Sequence, residues 1–299
     1  MTKWVIAAAL VARAARADAD AGACVDGHGE AAVWAQLAGT SASFCFQPMG
    51  TVASCYAVDV QTGALTAAKG PAQTSQLPML AGPADAPLIV DNKDDAAVCR
   101  GTACKTIKPT TDPDPGIGMT RAVDATGTYA ALGMQAQERV DVFEVASGKH
   151  AGTIAIPGAG ACIDVDFAGD ALVVASTDCA THAGNAWLAT RAGKRIAALG
   201  GKFPMGFYGP PAHVTANKWA FGAANAEVVV VQDVVSGSVW RRFALDKPDE
   251  NTRTELTLVA DDRRVVAIYG GDRAGDLALL DIGTHKITRL PAKRCAKAK

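Results

Sequence analysis

Apolar and polar positions alternate in short runs along most of the chain, and the runs come in pairs joined by turn residues. YAVDVQTGAL, Tyr56 to Leu65, is one such pair. DVFEVASGKH, VVQDVVSGSV and ALLDIGTHKI repeat its plan. A period of two sends successive side chains to opposite faces, so each run predicts a strand and each pair a hairpin. The turn residues of these hairpin-like stretches fall at Gly63, Gly101, Gly148, Gly193, Gly237 and Gly283. A second series, between pairs of apolar strands, falls at Gly39, Gly82, Gly127, Gly169, Asn217 and Asp262. Such residues accept positive φ or form Asx-turns, as tight hairpins require. The two series interleave in phase, each recurring about every 44 residues, so that one repeat holds about four strands. In the third repeat these are AVDA, YAALGM, VDVFEV and HAGTIAIP.

A small sheet of alternating residues cannot bury both of its faces alone, so such sheets stack face to face in a ring. The pattern therefore predicts an all-β, disulfide-linked fold, a single β-propeller of six four-stranded blades. A seventh blade is possible if residues 24–35 and the C-terminal tail build one. Within CIDVDFAGDALVVAS the run Ala171–Ala175 is apolar throughout, as a strand buried on both faces near the axis would be. A two-sheet sandwich has no reason to repeat six times, and a β-helix has shorter repeats. AVDVQTG, Ala57 to Gly63, resembles the A-x-D-x-x-T-G signature of quinoprotein-like propeller repeats, and the other copies resemble WD-type repeats more loosely. The resemblance implies a fold and not a chemistry. Quinoprotein dehydrogenases hold their quinone in larger propellers, commonly beside an adjacent cysteine pair. Here no two cysteines are adjacent, and only Trp240 sits where that motif's tryptophan falls.

With 49% apolar and 20% charged residues, the 299-residue chain can build a large core. Lys3, the apolar run Trp4–Ala12 and the small residues at Ala15–Ala19 resemble a secretory signal. The run is about nine residues, too short to span a bilayer as a helix. Residues 1–21 are thus read as signal peptide and linker, 22–295 as the propeller and 296–299 as a basic tail. An even set of eight cysteines without any C-x-x-C fits disulfides in an oxidising compartment, periplasmic or extracellular. Cys99 and Cys104 flank one turn, Cys45 and Cys55 another, and Cys162 and Cys179 can meet across a strand pair. Cys24 and Cys295 then remain for the two ends that a closed ring brings together. The formal net charge of −1 becomes more negative once Lys3, Arg13 and Arg16 are removed, which argues against nucleic acid as a partner.

Chemistry is expected in the loops that join second to third strands and each blade to the next. GKFPMGFYGPP, Gly201 to Pro211, places Phe203, Met205, Phe207 and Tyr208 together in a chain with only 6% aromatic residues, a contact patch for a protein or a carbohydrate. His182, His213 and Asp272 lie in or near the same loops. Asp91, Asp94, Asp95, Asp112, Asp114 and Asp178 add acidic character that could attract calcium. DVDFAGD, Asp164 to Asp170, resembles an EF-hand loop, but it has Ala168 at the fifth position and reads as a strand. No G-x-S-x-G or H-E-x-x-H occurs and the histidines show no ligand spacing, so no cofactor or metal is predicted. The expectation is a monomeric, exported binding platform without membrane insertion. The alternative is a metal-assisted hydrolase or lactonase with its site in the central channel.

Overall fold

The computed structural model describes residues 23–25, 32–47, 53–68, 80–81, 87–92, 95–100, 103–110, 119–135, 137–156, 162–177, 184–200, 209–223, 228–246 and 255–295. The first blade is β1 (Trp34–Ala38), β2 (Ser41–Phe46), β3 (Ser54–Asp59) and β4 (Leu65–Ala67); β5 (Leu80–Ala81) follows. The second is β6 (Leu88–Asn92), β7 (Asp95–Arg100) and β8 (Ala103–Ile107). The third is β9 (Met119–Val123), β10 (Tyr129–Met134), β11 (Arg139–Glu144) and β12 (Lys149–Ala155). The fourth is β13 (Cys162–Ala168), β14 (Ala171–Thr177), β15 (Gly184–Thr190) and β16 (Arg195–Ala198). The fifth is β17 (Ala212–Thr215), β18 (Lys218–Gly222), β19 (Val228–Asp233) and β20 (Val239–Ala244). The sixth is β21 (Leu256–Ala260), β22 (Arg264–Tyr269), β23 (Leu277–Asp281) and β24 (Ile287–Leu290).

Consecutive strands within each blade pair antiparallel, and the first strands of neighbouring blades touch: β9 with β13, β17 with β21, and β21 with β1. First strands therefore surround an axis, and the sixth blade meets the first. The chain is a six-bladed β-propeller. On β19, Val229 and Val231 pack with Leu258 and Ala267 of the sixth blade, whereas Val230 packs with Val173 and Leu188 of the fourth. The period of two thus feeds two separate cores from one strand. Each fully buried valine or leucine adds about 1.5–3 kcal/mol of apolar burial, realised only when both neighbours are present.

Polar staples fix the stacking. Gln232, fully buried, donates through Nε2 to Ala198 O and Gly237 O at 3.0 and 2.9 Å and accepts from Gly200 N–H at 2.8 Å. Thr120 Oγ1 donates to Ile163 O at 2.6 Å, and Thr257 Oγ1 to Ala32 O at 3.1 Å. All of these bonds but the one to Gly237 O, which braces the fifth blade's own turn, join two blades.

The second blade departs from the sequence pattern. Among the described residues it holds three antiparallel strands, and β5, the expected innermost strand, pairs in parallel with β1. Pro87, directly before β6, has no N–H to give a ladder. Two turns also shift. Positive φ falls at Ala216 (43°) rather than Asn217, and at His285 (64°) rather than Gly283. At Asp262 the turn is made by Asp261, whose Oδ1 accepts from Arg263 and Arg264 N–H, both at 2.9 Å.

Disulfides join Cys24 to Cys295, Cys45 to Cys55 and Cys99 to Cys104, the mark of a chain that matures outside a reducing cytosol. Cys162 is also disulfide-bonded; its expected partner Cys179 lies outside the described residues. No helix among the described residues is long and apolar enough to cross a membrane. Beside the terminal clasp, Val25 N–H donates to Lys293 O at 2.8 Å and Cys295 N–H to Val25 O at 3.1 Å. Replacing both Cys24 and Cys295 with serine should lower unfolding stability by on the order of 4–5 kcal/mol, since the bond closes nearly the whole chain. Denaturant melts check this; unchanged stability would mean that the clasp adds nothing to closure.

Candidate functional site

The two ends of the ring are built differently, and the difference starts in the repeated turn sentence. Asp59 Oδ1 accepts from Gln61 N–H, Thr62 N–H and Thr62 Oγ1 at 3.0, 2.8 and 3.0 Å. Asp233 repeats this with Val235 and Ser236 N–H at 3.0 and 2.8 Å, and Asp281 with Thr284 N–H at 2.6 Å. Those donors, the Thr62, Ser236 and Thr284 amides foremost, hold the three carboxyls below the usual range. The following residue turns left-handed, as at Gly63 (φ 75°) and Gly237 (φ 73°). A Cβ on Gly237 would lie 2.3 Å from Ala197 Cβ on β16, so the turn of one blade presses on the outer strand of the preceding one. Where His285 replaces the glycine, its Nε2 meets Arg242 O on β20 at 2.9 Å. This end is committed to holding blades together.

The opposite end carries the second-to-third strand loops and the connections between blades. Phe203, Met205, Phe207, Tyr208 and His182 fall there in sequence and lie outside the described residues. Asp272 is described: it is exposed in a single 3-10 turn, Gly271–Arg273, between β22 and β23. Around that turn Arg273 stacks over Tyr269 at 4.0 Å, and Asp276 accepts from Arg273 Nε at 3.3 Å and from Arg294 at 3.1 Å. Across the seam, Asp246 grips Arg289 through both oxygens at 2.5 and 2.7 Å. His213 sits on β17, and its Nε2 lies 3.2 Å from Ala216 O in the first-to-second strand turn. Its ring packs edge-on against Trp219 at 5.0 Å. The structure therefore points His213 toward the turn end, away from Asp272.

The first strand of the fourth blade holds a group that the sequence pattern did not single out. On β13, Ile163, Val165 and Phe167 pack against the third blade, so Asp164 and Asp166 take the other face of the strand. Asp166 is half-buried. Burial pushes it up to about 7, opposed only by the Phe167 N–H donating to Oδ1 at 2.7 Å. On β9, burial lowers the pKa of Arg121, which pairs with Leu132 on the face toward the second blade. The signal for Asp166 was present in DVDFAGD as charge at alternate positions of an inner strand. Among the described residues no group of three or more His, Cys, Asp or Glu side chains is placed to hold a metal ion.

No family model matches the chain, and no curated protein matches it. Among solved structures it is similar to a chain of the mitotic checkpoint complex, with 16% identity and a TM-score of 0.49 over 67% of this chain and 58% of that one. BamB from Moraxella catarrhalis gives 14% identity and 0.43 over 88% and 74%. Dihydro-heme d1 dehydrogenase NirN gives 14% and 0.45 over 87% and 57%. The chain thus spans less than two thirds of the checkpoint and NirN chains. These likenesses concern the fold.

The folded carboxyl of Asp166 titrates near 7, against a value of 3.8 for an unperturbed Asp. Between those values the folded state keeps a proton that the unfolded state has released, so this group's contribution falls as pH rises and levels off above 7. Asp166→Asn should therefore raise the melting temperature more at pH 8 than at pH 4.5. An equal change at both values would show that Asp166 ionises normally.

Proposed function

We propose that this protein is an exported, non-catalytic propeller that captures a protein partner on its loop end. The reading is carried by the contrast between the two ends. First-to-second strand turns are as short as Gly169–Asp170, whereas the blade-to-blade connections span 108–118, 199–211 and 245–255. A rigid scaffold with long loops at one end supports recognition there. The connection 199–211 contains Phe203, Met205, Phe207 and Tyr208, residue types enriched at binding hot spots. The disulfides support export to an oxidising compartment.

One observation favours a second reading. A carboxyl raised to about 7 on a first strand, as at Asp166, suits general acid–base catalysis. A channel hydrolase would lose turnover in Asp166→Asn, while partner capture would not depend on it.

Replacing Phe207 and Tyr208 together with alanine should weaken capture of the partner by roughly 30-fold or more, the scale of a lost hot spot. The melting temperature should stay the same. Affinity measured by biolayer interferometry, on a partner isolated with the wild-type protein, checks this. Unchanged affinity would remove these aromatics from the interface, and capture of a glycan instead would replace the partner class.

A further inference from the structure

In four blades the turn between the third and fourth strands reaches the outer strand of the preceding blade. A Cβ on Gly193 would lie 2.3 Å from Thr153 O on β12, and one on Gly237 would lie 2.3 Å from Ala197 Cβ on β16. His285 Nε2 meets Arg242 O on β20, and a Cβ on Gly63 would lie 3.6 Å from Leu290 on β24. The third blade differs. A Cβ on its turn residue Gly148 would have nothing within 4 Å among the described residues. The strand left uncovered is β8, where Ala103, Cys104, Lys105 and Thr106 are all exposed. Among the described residues, Ala103–Ile107 make no main-chain hydrogen bond beyond the β7–β8 ladder. β8 is therefore an edge strand whose outward N–H and C=O groups face water. It is also held in place, because Cys104 lies opposite Cys99 on β7 and is bonded to it.

We propose that β8 is a docking edge, which an extended, acidic segment of a protein partner joins as an added strand. In such pairing main-chain hydrogen bonds supply affinity, and the side chains opposite supply selectivity. Lys105 shares a face of the strand with Ile107, which is buried against the third blade. The residue opposite Lys105 therefore enters the open space beside Gly148. Lys108 and Lys149, both exposed, add positive charge after β8 and after that turn. The carboxylate of the turn, Glu144, already accepts from Ser147 Oγ at 2.7 Å. A second copy of this chain is a poor occupant. Antiparallel pairing of β8 with itself in full register sets Lys105 against Lys105, and like charges directly opposite repel. A carboxylate at that place attracts instead. Because Cys99–Cys104 fixes the strand in advance, binding has little ordering left to impose on it. The inference concerns the outer rim of the second blade and stands apart from the aromatics at the loop end.

The test uses the oxidised full chain, isotope-labelled for NMR, with the capped peptide Thr-Glu-Val-Glu-Val-Glu-Thr as the probe. Titration should shift the amides of Ala103–Ile107 saturably and slow hydrogen exchange at those that point outward. Lys105→Glu, a change at an exposed site, should leave the melting temperature in place and weaken binding about fivefold. The same peptide with lysine for glutamate should lose affinity by at least as much. The peptide N-methylated throughout should not bind, since it has no N–H to give the ladder. No saturable shift at β8, equal binding of the lysine peptide, full affinity in Lys105→Glu, or binding that survives N-methylation would each overturn the proposal.

Discussion

Closure of the ring is the constraint on which the rest depends. Each blade presents two apolar faces, and a face is buried only if a neighbour covers it. A row of blades would leave one face exposed at each end; a circle leaves none. The chain makes that last contact by packing Phe44 and Phe46 of the first blade against Val266 and Ile268 of the sixth. Thr257 hydrogen-bonds to Ala32 O across it, and Cys24–Cys295 locks it covalently. The ends of the sequence are thus spent on the seam where the polypeptide itself is discontinuous.

The other disulfides follow the same logic at a different seam. Cys45 lies on the face of β2 opposite Phe44 and Phe46, and Cys99 on the face of β7 opposite Ala96 and Val98. Phe44 and Phe46 serve the core with the sixth blade, and Ala96 and Val98 the core with the third. Both hairpin disulfides therefore face the seam between the first and second blades. None of the apolar clusters among the described residues spans that seam. Among the described residues the second blade has three antiparallel strands, and covalent links within the two hairpins stiffen the faces that meet there.

The fold was legible because burial on both faces imposes a period of two within strands and a longer period between turns. Neither signal needs tertiary information. Three of the cysteine pairs were legible for a related reason, since hairpin partners and chain ends are set by the layout. What could not be read was local competition. Leu80–Ala81 carries a strand pattern, but the pattern does not say which neighbour's edge it joins. Glycine marked the left-handed position in most turns, yet His285 takes it where Asp281 and Thr284 fix the loop and Arg242 O receives the ring. Asp166 looked like a strand residue, and its unusual environment arises only when other blades surround it.

The division between a committed turn end and a loop end follows from closure as well. Turns that press on neighbouring outer strands have little freedom to vary. The most direct test is peptide mapping of the oxidised protein without reduction. The account predicts a cross-linked fragment joining Cys24 to Cys295, with Cys45–Cys55 and Cys99–Cys104 each closed within its own hairpin. Free thiols at Cys24 and Cys295, or either of them bonded to another cysteine, would contradict a ring closed at this seam.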